Sequence, residues 1–193
     1  MSTQTKLIQQ LGLACMVAAI LAGIVGGLWE LAHPILTTAE TFASSSPAQR
    51  WGYALLSVIR SAGFLAGLFG LYKVGTNRGW VVTIFMALAT LGAIFFAAVW
   101  LYMAVIAEVK IVYVLGGLWY QWIAPVALGI AALRARRISV WISIWAIVVG
   151  LLNSQIFMLL GVVGALLVQG VIWLILGYMV YVSGRRAEQV VEP

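Results

Sequence analysis

Residues Trp51 to Val74 read WGYALLSVIRSAGFLAGLFGLYKV. As a helix the run is about 36 Å long at 1.5 Å per residue, enough to cross a bilayer. One permanent charge, Arg60, lies near its midpoint. A guanidinium at that depth costs about 2.5–3.5 kcal/mol on insertion scales. It needs a partner, a water-filled cavity or a ligand. Its neighbours at helical spacing are Tyr53, Ser57, Gly63, Phe64 and Gly67. Gly63 and Gly67 form a small-xxx-small pair that admits a second helix at close range. Arg60 is therefore expected to point into a helix bundle and not into lipid.

The rest of the chain agrees with a membrane setting. Of 193 residues, 64% are hydrophobic and 8% charged, against roughly 25% charged in soluble domains. The polar surface is too small to cover a water-soluble globule, so the bilayer is the expected solvent. The net charge of +6 is not read as a nucleic-acid footprint, because the basic residues cluster between apolar runs. A single cysteine, Cys15, excludes an intrachain disulfide and a Cys-based zinc site. The N-terminal apolar run is too long for a signal-peptide core and is read as a retained first span.

The expected architecture is all-α: one transmembrane domain over residues 1–193, a bundle of six helices. The spans are placed at about 8–32, 50–73, 79–107, 111–133, 138–153 and 156–183. Residues 33–49 form an exposed loop and 184–193 a polar tail. The turn between the last two spans is set at Asn153, Ser154 and Gln155, the polar residues available there. With six spans, Lys6, Lys73, Arg78, Arg134, Arg136, Arg137, Arg185 and Arg186 fall on one side, and Arg50 and Lys110 on the other. Eight against two is a strong positive-inside bias, with both termini cytoplasmic.

Two spans carry small-residue stripes at helical period. The first reads Gly12, Cys15, Ala19, Gly23, Gly26, Glu30, His33; the third reads Thr83, Ala87, Thr90, Ala97, Ala104, Glu108. Both are expected to be packing faces, which sets Glu30 and Glu108 on those faces near the outer ends of their helices. Arg60 lies roughly 10–12 Å deeper. It leans outward while the two acids lean inward, because side chains tilt toward the N-terminus of their own helix.

Aromatic residues crowd the outer half, among them Trp29, Trp51, Tyr53, Trp100, Tyr102 and Tyr113. Trp51, Tyr53 and Tyr113 fit an interfacial belt. Tyr120, Gln121 and Trp122 lie too deep for a belt and share the depth of Arg60. Tyr120 and Gln121 are thus candidates to bond Arg60 or its ligand, and Pro125 frees a backbone carbonyl nearby. Gln169, at similar depth in the last span, is read as a helix–helix hydrogen bond.

Glu30 and His33 spell E-x-x-H, half of a di-iron bundle motif, but His33 is the sole histidine. No metal and no cofactor is expected. A P-loop, a dinucleotide fingerprint and a Ser/His/Asp arrangement are all missing from the sequence.

The run GLFGLYKVGTNRGW, Gly67 to Trp80, resembles the hairpin between the second and third spans of many small bacterial integral membrane proteins to which no activity is attached. The resemblance covers about 40 residues and implies a bacterial cytoplasmic membrane, with nothing about chemistry.

The leading functional expectation is a non-enzymatic membrane protein with an outward-facing aromatic pocket closed at its base by Arg60. It would bind or pass a lipid-like or amphipathic anion, with Glu30, Glu108, Tyr120, Gln121 and Trp100 as the other candidate ligand-binding residues. The alternative is a structural or assembly subunit of a membrane complex, with Arg60 consumed by Glu30 or Glu108. An intramembrane enzyme is a distant third. The expected partner is membrane lipid, with no nucleic acid; the sequence gives no oligomeric state. An open aromatic cavity at Arg60 favours binding, and a filled core favours structure.

Overall fold

The computed structural model describes residues 3–34, 39–75, 79–108, 123–134 and 139–189. Among these every regular element is helical. Four helices are long and apolar enough to cross a membrane: Gln4–Ala32, Pro47–Val74, Trp80–Ile106 and Val163–Arg185. Ile123–Arg134 and Val140–Leu152 are shorter apolar helices. This is the build of an integral membrane protein.

The first rod consists of α1 (Thr3–Ala18), a π-helical segment (Ala19–Val25) and α2 (Gly26–Ala32). It stops at His33, whose backbone is pushed off the helix by Pro34. A short helix, α3 (Ala39–Ser44), precedes α4 (Pro47–Gly75). The start of α4 is a reciprocal cap. The Ser46 hydroxyl accepts from the Gln49 N–H at 3.3 Å, and the Gln49 side chain accepts from the Ser46 N–H at 2.9 Å. Pro47 takes the first helical position, where its missing N–H is not needed. Next come α5 (Trp80–Ile106) and α6 (Ile123–Arg134). Ala107, in the left-handed conformation, ends α5 by donating its N–H to the Met103 carbonyl at 2.9 Å.

The last element, α7 (Val140–Gln189), is two helices joined at Gly161, with φ 64° and ψ −173°. The turn expected at Asn153–Gln155 is therefore displaced to Gly161. Polar side chains can be carried within a helix, whereas that backbone conformation is open in practice only to glycine. Arg185 and the residues to Gln189 continue the helix, so the first part of the expected polar tail is helical.

The first rod packs antiparallel against both α4 and the second half of α7. A Cβ on Gly23 would lie 2.3 Å from the Gly170 Cα, and one on Gly63 would lie 1.9 Å from the Ala18 Cβ. The first-span stripe is a packing face as read: Gly12, Cys15, Ala19, Gly23, Gly26 and Glu30 are all buried. His33 departs from it, being exposed and stacked on Trp29 at 4.6 Å. Between α4 and α7, Phe64 stacks on Trp173 with centroids 4.0 Å apart and planes 6° from parallel. Leu68, Leu71, Leu176 and Val180 continue this core. The first half of α7 lies against α6 at Gly129, and Trp145 donates its indole N–H to the Ile172 carbonyl at 3.1 Å.

The third-span stripe is corrected in part. Ala104 is buried and Thr90 and Ala97 are half-buried, but Thr83, Ala87 and Glu108 are exposed, and α5 also buries Val82, Met86, Ala89, Ala93, Phe96 and Met103. On a helix apolar all round, small residues are as acceptable toward lipid as toward protein. Here α5 buries small and bulky side chains alike, Ala89 and Ala93 with Met86, Phe96 and Met103. The loop at 33–49 is corrected in part, because it contains α3, whose Phe42 is fully buried against Trp100.

Candidate functional site: a buried polar seam

The polar residues of α4 emerge on one face. Tyr53, Ser57, Arg60 and Ser61 are 4%, 6%, 5% and 3% exposed. Seven residues separate Tyr53 from Arg60, which is two turns and about 10 Å. The helix has little choice of orientation: its opposite side carries Leu55 and Trp51, both substantially exposed.

Glu30 meets this face at its Tyr53 end. Its carboxylate is fully buried and accepts a hydrogen bond from the Tyr53 hydroxyl. Tyr53 is thus a core residue, whereas Trp51, 43% exposed, lies at the surface. Sequence reasoning named Tyr53 as a neighbour of Arg60 but missed it as the donor to Glu30. The signal was its spacing of seven from a buried arginine.

At the other end of the seam the Arg60 guanidinium carbon lies over the Phe96 ring, 4.9 Å from its centroid. This cation–π geometry places an apolar ring, contributed by α5, on the charge. Phe96 in turn packs edge-on against Trp100 at 6.2 Å, and Trp100 against Phe42 at 6.3 Å. Trp100 is 7% exposed, and its indole N–H has no hydrogen-bond partner among the described residues.

Gln169 completes the level of Arg60. On α4 and α7, which run parallel here, Phe64 and Trp173 stack on each other. One turn before each stand Arg60 and Gln169, on the same helix faces as the stacked rings. Gln169 is fully buried, and neither end of its amide has a hydrogen-bond partner among the described residues. On the first rod, interpolation between the Ala18–Gly63 and Glu30–Tyr53 contacts brings Arg60 alongside Ala22. That residue lies inside the π-helical segment, a type of irregularity frequent at functional positions.

Of the six candidate residues, the structure gathers Arg60, Glu30 and Trp100 around α4 and α5. Glu108 stands apart, exposed beyond the end of α5. Tyr120 and Gln121 lie outside the described residues. Near the start of α4, Arg50 donates its Nε to the Ala104 carbonyl at 3.3 Å and a terminal nitrogen to the Ser45 carbonyl. Arg50 thus ties α3 and α4 to the last turn of α5, where a cation also complements the helix dipole. Among the described residues no three His, Cys, Asp or Glu side chains come together.

Comparison with protein families, curated proteins and solved structures finds no match.

Proposed function

We propose that this chain is a non-enzymatic structural or assembly subunit of the membrane, built on a polar seam of Glu30, Tyr53 and Arg60 at the centre of its helix bundle. One observation carries the reading. Glu30 is 0% and Arg60 5% exposed, with Tyr53 bonded to the acid and the Phe96 ring over the guanidinium. The Phe96 ring covers one face of the guanidinium, and the acid is bonded to protein, which supports a structural role. In such a core the polar groups contribute register and helix choice more than net stability.

The proposal includes six crossings with both termini cytoplasmic and lipid as the solvating partner. The eight-to-two basic asymmetry supports it. So does the break at Gly161, which leaves Val140–Leu160 at about 31 Å, long enough for a span. The likeness of residues 67–80 to small bacterial membrane proteins supports a bacterial cytoplasmic membrane.

A second reading, an amphipathic anion held at Arg60, is favoured by the unpartnered amide of Gln169 at the same depth. Thermal melts of Arg60→Ala, Glu30→Ala and the double variant separate the two, with lipid mass spectrometry on each. For a structural seam, each single change destabilises, by up to about 3–5 kcal/mol where a buried charge loses its compensation. The double change then costs less than the sum. For a ligand site, Arg60→Ala removes an insertion cost, leaves stability equal or higher, and strips co-purifying anionic lipid. Additive effects of the two changes together with lost lipid rule out the structural proposal.

A further inference from the structure

Away from the seam, a cleft of about 560 Å³ opens between the start of α5 and α6. Its volume lies within the ordinary range for ligand sites. The α6 wall is one helical face: Ile123, Val126, Ala127, Ile130, Ala131 and Arg134 recur at three- and four-residue spacing. From Ile123 to Arg134 that face rises about 16 Å. Val81, Val82 and Phe85 of α5 form the other wall.

The cleft is amphipathic along its length. Its deep part is apolar. Its mouth holds Arg134, the one charged residue among the described lining residues, and Gly79, which precedes the first turn of α5. The N-cap of α5 is a glycine, which has no side chain to close that turn, and the positive end of the helix dipole lies there. Trp80 and Trp141, 76% and 74% exposed, stand at the same end of their helices. Tryptophan at such a site marks the headgroup level of a bilayer. The cationic mouth is therefore at the height of lipid phosphates, and the apolar part at the height of acyl chains. The walls are open on the lipid side, with Val81 45% and Ile130 41% exposed.

We propose that this cleft is a binding site for an anionic phospholipid, with one acyl chain along Val126, Ala127 and Ile130 and the phosphate at Arg134 and the first turn of α5. A basic pocket between spans is a known way to select anionic headgroups. The site is independent of the Arg60 seam and of which side of the membrane the basic residues occupy.

The test uses the full chain, delipidated in detergent and offered equal dioleoyl phosphatidylglycerol and dioleoyl phosphatidylcholine, with retained lipid read by native mass spectrometry. Phosphatidylglycerol is retained over phosphatidylcholine by about fivefold, the factor expected for one surface arginine. Arg134→Ala removes the preference. Ala127→Trp, which fills the cleft, removes retention of phosphatidylglycerol; if that variant does not fold, Ile130→Trp at the rim replaces it. Arg185→Ala takes the same charge from α7 and leaves the preference intact. Equal retention of the two lipids by the native chain overturns the proposal. So does an Arg185→Ala loss equal to that of Arg134→Ala, or unchanged retention with the cleft filled. Displacement of the lipid by glycerol phosphate at equal concentration also overturns it, because the acyl chain would then contribute nothing.

Discussion

The hydroxyl of Tyr53 donates to the carboxylate of Glu30 between two helices whose other close approaches are made by glycine, alanine, leucine and Cys15. A fully buried acid in a membrane helix is expensive unless its oxygens are satisfied, and Tyr53 supplies one of those bonds. Tyr53→Phe keeps the ring and deletes the donor. It is expected to lower stability by about 1–3 kcal/mol, the usual penalty for stranding a buried acceptor. In a Glu30→Leu background the same change should cost much less, since no acceptor remains. Melting curves of the four proteins in one detergent measure the coupling; an equal loss in both backgrounds contradicts the assigned bond.

Gly63 and Ala18 make the tightest approach between α4 and α1, with a Cβ on Gly63 falling 1.9 Å from the Ala18 Cβ. Gly63→Ala should destabilise by about 1–3 kcal/mol through overpacking. Adding Ala18→Gly vacates the colliding methyl and should recover part of that loss, even though Ala18→Gly alone costs about 1 kcal/mol in helix propensity. Val17, beside this contact but 47% exposed, should accept leucine with little effect. A double variant no more stable than Gly63→Ala argues against this helix pairing.

Gly161 tests the break in α7. Nothing lies within 4 Å of a Cβ built there, so any penalty on substitution comes from the backbone. With φ 64° and ψ −173°, Gly161→Ala should cost about 1–3 kcal/mol. At Gly52, inside α4 and equally free of neighbours, alanine should be neutral or stabilising by up to about 1 kcal/mol. Equal responses at the two sites, read by thermal melting, mean that Gly161 does not hold the turn.

Topology is open to direct labelling. In a Cys15→Ala background, cysteines at Ser45 and Glu188 should react with a membrane-impermeant thiol reagent from opposite faces, with only Ser45 reached from outside intact cells. Reaction of both from one face rules out the six-span arrangement with cytoplasmic termini.

The helical, membrane-type build, the positions of the first three long helices and the burial of Arg60 were legible in the sequence for one reason. In hydrocarbon the backbone must satisfy its own hydrogen bonds, so long apolar runs have to be helices. A charge among them has to turn toward protein, and Gly63, Phe64 and Gly67 indicated the face on which it would do so. The first-span stripe was legible on the same ground, since a Gly and Ala column is where backbones can approach. The capping pair Ser46 and Gln49 was also present in the sequence as S-x-x-Q, and it moves the start of α4 ahead of Arg50.

The remainder was decided by tertiary structure. Nearly every face of α5 is apolar, so neither period nor composition distinguishes Met86 and Phe96, which are buried, from Leu88 and Leu91, which are exposed. Only the neighbouring helix breaks that tie. The same holds for the partner of Glu30. Depth along separate helices singled out Arg60, but the antiparallel register of the first rod against α4 brings Tyr53 to the acid. The parallel register of α4 and α7 sets Gln169 level with Arg60. Register between helices depends on which side chains interlock, Ala18 with Gly63 and Phe64 with Trp173, and no single run of sequence contains both halves of such a pair.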